Sequence, residues 1–129
     1  MIENNSTEMN AIFEKAISLR DNGDFEGACK MLSLFIEKFP DNFVGYLVKG
    51  GILLYNLNRV DQALACYYKA VQLNPTSELS SVGLFHCLWE KGESDEAFEE
   101  AKRYVMTTGR RSEEYDLILK EIEESYENE

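Results

Sequence analysis

The sequence predicts an all-α fold, a solenoid of three helical hairpins closed by a C-terminal helix. Three observations predict it. First, Leu19, Gly23 and Ala28 recur as Leu54, Asn58 and Ala63, then as Leu88, Gly92 and Ala97, at offsets of 35 and then 34 residues. A fixed period of that length marks one helical hairpin per unit, and a hairpin that cannot bury its apolar face alone stacks on its neighbours. Second, apolar residues between these signatures return at three- and four-residue steps, the period of an amphipathic helix. Third, Gly, Asn and Pro fall where those runs break.

Helical periodicity begins after Ser6 and Thr7, either of which is placed to cap, and runs through Met9, Ile12, Phe13, Ala16, Ile17 and Leu19 to a break at Asn22, Gly23 and Asp24. A second run from Phe25 to Phe39 stops at Pro40, which supplies no amide donor and disfavours helix in the residue before it. The second hairpin repeats the plan, with a helix from about Phe43 to Leu57, a turn at Asn58, a helix from about Val60 to Leu73 and a stop at Asn74 and Pro75. Asn suits that turn because it tolerates the left-handed conformation a helix end often requires. The third hairpin spans about Glu78 to Thr108, turns at Lys91-Gly92-Glu93-Ser94, and has Gly109 where the earlier units have proline. A final helix from about Glu113 to Tyr126, capped by Ser112, sets Tyr115, Ile118, Leu119 and Ile122 on one face and acid on the other. The organisation expected is one domain over 1–129, with repeats at about 8–40, 43–75 and 78–109 and a capping helix at about 112–127. Ala28, Ala63 and Ala97 let the second helix of each hairpin approach the first, and Ala63→Leu is expected to overpack that seam. Gly50 and Gly51 give the next unit close approach, at about 1 kcal/mol each in helix propensity.

Composition narrows the function. Twenty-four acidic residues against 13 basic give a net charge of −11, which repels a nucleic-acid backbone. The charge is uneven. Residues 112–129 carry Glu113, Glu114, Asp116, Glu121, Glu123, Glu124, Glu127 and Glu129 against Lys120 alone, whereas the stretch from Val44 to Trp89 is nearly neutral. Cys29, Cys66 and Cys87 are an odd number without paired spacing, and the first thirty residues lack a secretory pattern, so a reducing cytoplasm is the expected location. No apolar run approaches the roughly 20 residues that cross a bilayer, and a membrane is not expected as a partner.

Catalytic chemistry is not expected either. His86 is the single histidine, its neighbour Cys87 lies on another helical face, and Cys29 and Cys66 fall on second helices. Metal-ligand spacings and phosphate-binding glycine loops are absent, so no cofactor or metal is expected. Acidic pairs such as Glu99-Glu100 and Glu113-Glu114 diverge on a helix and read as solvated faces.

The second unit carries a family resemblance: Gly50-Gly51, Leu54, Asn58, Ala63, Tyr67, Ala70 and Pro75 match the positions of the tetratricopeptide repeat pattern. The first unit keeps Ala16, Gly23, Ala28 and Pro40 but has Leu32 and Phe35 in later slots. The third keeps Leu84, Gly92 and Ala97 and has the bulky Phe85 where a small residue is usual. The resemblance covers about residues 9–109 and implies a right-handed α-solenoid, a non-enzymatic binding scaffold, and a ligand groove on its concave wall.

One stripe of each first helix would face that wall. Phe13, Ile17 and Arg20, then Val48, Ile52 and Tyr55, then Val82, His86 and Trp89 each stand at i, i+4 and i+7. Two readings stay open. The nine side chains line an apolar groove whose aromatics, Tyr55 and Trp89 first, anchor a partner protein or peptide, or they merely fill space between neighbouring first helices. Members of the resembled family that clamp acidic chaperone tails use Lys, Arg and Asn along this wall. Here Phe13, Ile17, Leu79 and Gly83 stand instead, so no carboxylate clamp is expected. The functions that remain are a chaperone or adaptor resembling the three-repeat acidic chaperones of bacterial type III systems, an immunity-type inhibitor meeting a basic toxin partly through the acidic C-terminal helix, or an architectural subunit of a homo-oligomer. The chain is expected as a monomer or weak homodimer.

Overall fold

Seven helices follow one another through the described residues, 2–128 of a computed structural model, and no strand occurs among them. They are α1 (Ile2–Asp21), α2 (Phe25–Lys38), α3 (Phe43–Gly51), α4 (Val60–Leu73), α5 (Glu78–Glu90), α6 (Ser94–Thr108) and α7 (Glu113–Glu127). Pairs α1–α2, α3–α4 and α5–α6 form the hairpins, which stack in chain order into an all-α solenoid, with α7 beyond the third.

The turns sit where the repeated signature puts them. Gly23, Asn58 and Gly92 have φ of +84°, +52° and +78°, and Gly109 ends α6 at +65°. That left-handed region is open to glycine and tolerable to asparagine. Helix starts are tied by side chains: Asp24 accepts from the Gly27 amide, Asn42 from Val44, Ser77 from Ser80 and Ser112 from Tyr115, at 2.9 to 3.2 Å.

Two helices depart from expectation. α1 begins ahead of Ser6 and Thr7, so neither caps it; both lie within the helix. The helix expected over 43–57 is not regular: after Gly51 it widens into a π-helical turn, Ile52–Asn56, in which the Leu57 amide donates to the Ile52 carbonyl at 3.0 Å. The widening follows two consecutive glycines, the residues that hold α-helical pitch least.

Stacking rests on aromatics seated against glycine backbone. A Cβ on Gly83 of α5 would fall 2.0 Å from the Tyr67 ring of α4, and one on Gly50 would fall 3.1 Å from the opposite edge of the same ring. Between the first and second hairpins Phe35 does the same work, 2.7 Å from where a Gly45 Cβ would stand. Ala16, Ala28, Ala63, Ala70 and Ala97 are fully buried at the helix crossings.

At the far end no glycine separates α5 from α7. Phe85 of α5 meets the Tyr115 ring edge-on at 5.6 Å, and Tyr104 lies 5.8 Å from it. Beneath the rings runs a polar chain: the Tyr115 hydroxyl and Ser81 Oγ are 2.6 Å apart, Ser81 donates to Glu100 Oε2 at 2.6 Å, and Arg103 grips both Glu100 oxygens at 2.7 and 2.8 Å. Glu100 is therefore 8% exposed and structural, which corrects its expected place on a solvated face. Its charge is tolerated because guanidinium and hydroxyl replace water around it.

Gly83→Ala is expected to destabilise the chain by about 1–3 kcal/mol, because overpacking against Tyr67 outweighs the roughly 1 kcal/mol helix-propensity gain of alanine. Urea unfolding of Gly83→Ala, Tyr67→Leu and the double variant checks it. A coupling energy near zero would show that ring and glycine do not depend on each other.

Candidate partner-binding wall

The inner stripe is contributed by the first helices α1, α3 and α5. Phe13, Ile17 and Arg20 are half-buried on α1, Val48 is half-buried on α3, and His86 and Trp89 are half-buried on α5. Tyr55 is 62% exposed. Its hydroxyl nonetheless lies 2.8 Å from His86 Nδ1, and the two rings meet edge-on with centroids 6.2 Å apart. The wall thus holds an ordered aromatic in solvent, fixed by a hydrogen bond that crosses from the second hairpin to the third.

Ile52 and Val82 are corrections. Expected on the open wall, they are 2% and 7% exposed and belong to the core. Ile52 follows Val48 through an ordinary α-helical bond, its amide donating to the Val48 carbonyl, so it keeps its helical place and is covered by packing into the core, ahead of the π-turn that begins there. Val82 is held on the segment Ser80–Leu84, all of it buried, where Gly83 brings α5 hard against Tyr67. Trp89 stays half-buried, stacked on Phe85 with ring planes 6° apart and edge-on to Phe98 at 5.7 Å. Phe13 lies 5.9 Å from Phe35, so its inner edge is core and its outer edge is wall.

Leu79, read from the sequence as standing on this wall but not counted among its contact residues, is 70% exposed. It stands three residues before Val82 and seven before His86, and that same-face spacing was the available signal. A second feature also went unread. α7 does not seal α6, and an apolar trough lined by Phe98, Ala101, Val105, Met106, Tyr115 and Leu119 runs between them.

At Tyr55 and His86 burial is the dominant electrostatic influence. Burial holds His86 below the ordinary imidazole range, while the carboxylates of Glu114, Glu90 and Glu121 pull in the opposite direction. Burial, then neighbouring Cys87 and Glu114, push the Tyr55 phenol up. Cys29, Cys66 and Cys87 are buried, free and raised by that burial, Cys87 to about 12, so they stand as protonated core thiols. Among the described residues no group of three His, Cys, Asp or Glu is placed to hold a metal, and no helix is long and apolar enough to cross a membrane.

Comparison with known proteins gives the same architecture. Residues 10–42 and 45–77 each match a sequence profile of the tetratricopeptide repeat. No curated protein sequence matches the chain. Among solved structures, the first tetratricopeptide domain of Spaghetti (RPAP3), bound to the HSP90 peptide SRMEEVD, aligns with a TM-score of 0.79 at 16% identity, over 94% of this chain and 97% of that one. The type III secretion translocator chaperone SycD of Yersinia enterocolitica aligns at 0.73 and 17% identity, over 87% and 84%. MamA AMB-1 aligns at 0.69 and 21% identity, over 85% of this chain and 60% of that one. At these identities the likeness is one of fold.

A histidine whose folded value lies below its unfolded 6.5 favours the folded state above pH 6.5, and that contribution is lost as pH falls through the lowered value. The wild-type chain should therefore lose more stability than His86→Asn between pH 7.5 and 5. Urea midpoints of both proteins at the two pH values measure the difference, and parallel losses would refute it.

Proposed function

This chain belongs to the tetratricopeptide repeat family, a family of protein-interaction scaffolds that are typically non-enzymatic, and from that premise we propose that it binds a segment of another polypeptide along the wall of α1, α3 and α5. It acts by occupancy, as one domain over 1–129 and without a cofactor, in the manner of a secretion-type chaperone or an adaptor. Phe13, Ile17, Arg20, Val48, Tyr55, His86 and Trp89 are its contact residues.

One observation carries the reading: Tyr55 is 62% exposed yet fixed to His86 at 2.8 Å. A large aromatic already ordered in solvent loses little further entropy when a partner covers it, which is the character of a binding anchor. Leu79, exposed on the same face of α5, extends the apolar surface past His86. The acidic peptide SRMEEVD held by the RPAP3 domain is not the model for this ligand, because Phe13, Ile17, Leu79 and Gly83 occupy the positions where such clamps carry cations. The fold shared with the SycD chaperone is compatible with the chaperone reading and does not by itself choose it over an adaptor.

Pull-down from native lysate with wild type against the double variant Tyr55→Ala, Trp89→Ala tests the proposal. Anchors of this kind are worth about 2 kcal/mol or more each, so partners that wild type retains should be lost from the variant, while circular dichroism stays unchanged. Equal recovery would remove the wall as the binding surface.

A further inference from the structure

We propose that the apolar trough between α6 and α7 is a second binding site, the vacant seat of a fourth hairpin's second helix. Its occupant is an amphipathic helix of another polypeptide, antiparallel to α7 and carrying a lysine or arginine at its N-terminal end. The trough shares no lining residue with the wall of α1, α3 and α5 and does not depend on it.

α7 continues the series of first helices. Ile118, Leu119 and Ile122 stand 34 residues after Leu84, Phe85 and Leu88, the step that separates the second unit from the third. Its polar ties to α5, Tyr115 with Ser81 at 2.6 Å and Ser112 to Glu78 at 3.1 Å, span 34 residues as well. In the third hairpin the second helix covers this face: Phe85 is 1% exposed with Phe98 of α6 edge-on at 6.1 Å, and Ser81 donates to Glu100. One repeat later no second helix follows α7 among the described residues, and Leu119, the counterpart of Phe85, is 37% exposed. α6 is bared in the same way. Phe98 and Val105 stand 34 residues after Leu64 and Val71 of α4, which are half-buried, yet they are 38% and 40% exposed, and Met106 beside them is 73% exposed. Both sides of a hairpin seat are therefore present, and the helix that fills such a seat in the preceding unit is a second helix like α4 or α6.

Ion pairs set the direction and the charge of the occupant. At the turn edge of the stack each second helix offers an acid that the next hairpin meets with a cation: Glu26 pairs with Arg59, and Asp61 with Lys91 at 2.7 Å. Asp95 is the third member of that series, at the same offsets of 35 and 34 residues, and among the described residues no Lys or Arg pairs with it. It precedes Phe98 by one turn on the same side of α6. A helix seated in the trough as α4 is seated in its own hairpin starts at that edge and brings a leading cation to Asp95, as Arg59 is brought to Glu26. The trough's own rim, Lys102 and Asp116, is balanced in sign. A second copy of this chain is the poorer occupant, because the helix it has with an open side is the strongly acidic α7, and two such helices side by side repel.

The probe is a fluorescent peptide with the sequence of residues 58–73 and Cys66→Ala, a second helix together with its leading Arg59. Its binding to the full chain is read by anisotropy. Met106→Glu and Leu119→Glu in the chain should each weaken binding about ten-fold or more, since either sets a carboxylate in the apolar seat. Met106 is exposed enough for its variant to fold, so the test stands even where circular dichroism shows Leu119→Glu disturbed. Arg59→Glu in the peptide should cost about five-fold against the wild-type chain and less than about two-fold against Asp95→Asn. Equal cost against both chains overturns the cation at Asp95. No binding, binding as tight by a scrambled peptide, or binding that Met106→Glu leaves intact overturns the trough as a helix seat. So does binding that Tyr55→Ala, Trp89→Ala abolishes, which would set the peptide on the wall. A wild-type dimer in sedimentation velocity that Met106→Glu turns into a monomer assigns the trough to a second copy and overturns the partner helix.

Discussion

The stack depends on one seat: the Tyr67 ring lies between Gly50 of its own hairpin and Gly83 of the next, with its hydroxyl over Gly51. A phenol ring is rigid and cannot be accommodated by bending, so the helices on either side must present bare backbone to it. This is why glycines occur inside α3 and α5 although each costs about 1 kcal/mol in an isolated helix. The distance between those helices follows from the seat. So does the 2.8 Å bond between Tyr55 and His86, because the two residues ride on the helices that Tyr67 spaces.

Much of this arrangement was legible in the residues. The recurrence of Gly23, Asn58 and Gly92 marked the turns because a helix end needs positive φ, and the structure gives all three that conformation. Ala28, Ala63 and Ala97 marked the crossings because only a small side chain fits there, and all three are fully buried. The π-turn was not legible, since apolar periodicity reports which residues are buried and not the number of residues in a turn. The start of α1 was misread because Ser6 and Thr7 have the chemistry of caps, and a cap competes with helix continuation on either side of it.

The wall was half legible. Spacing at i, i+4 and i+7 put Tyr55 and His86 on one wall without marking them as direct partners, and it says which face Ile52 occupies but not how deeply that face is covered. Val82 was assigned by its own periodicity, whereas its burial is decided by Gly83 and by the ring of a residue on another helix. Glu100 shows the same limit from the other side. An acidic pair on a helix is solvated unless something nearby can replace water, and here Ser81 and Arg103 do so, one from nineteen residues away in sequence.

That polar chain joins α5, α6 and α7. The Glu100–Arg103 pair lies within α6, and α7 joins it only through the Tyr115 hydroxyl on Ser81, a buried bond whose loss costs about 1–3 kcal/mol. Tyr115, Ile118 and Ile122 pack inward against the core. Because Phe85 fills the place of a small residue and meets Tyr115, α7 packs through side chains instead of backbone, and its rotation is set by few contacts.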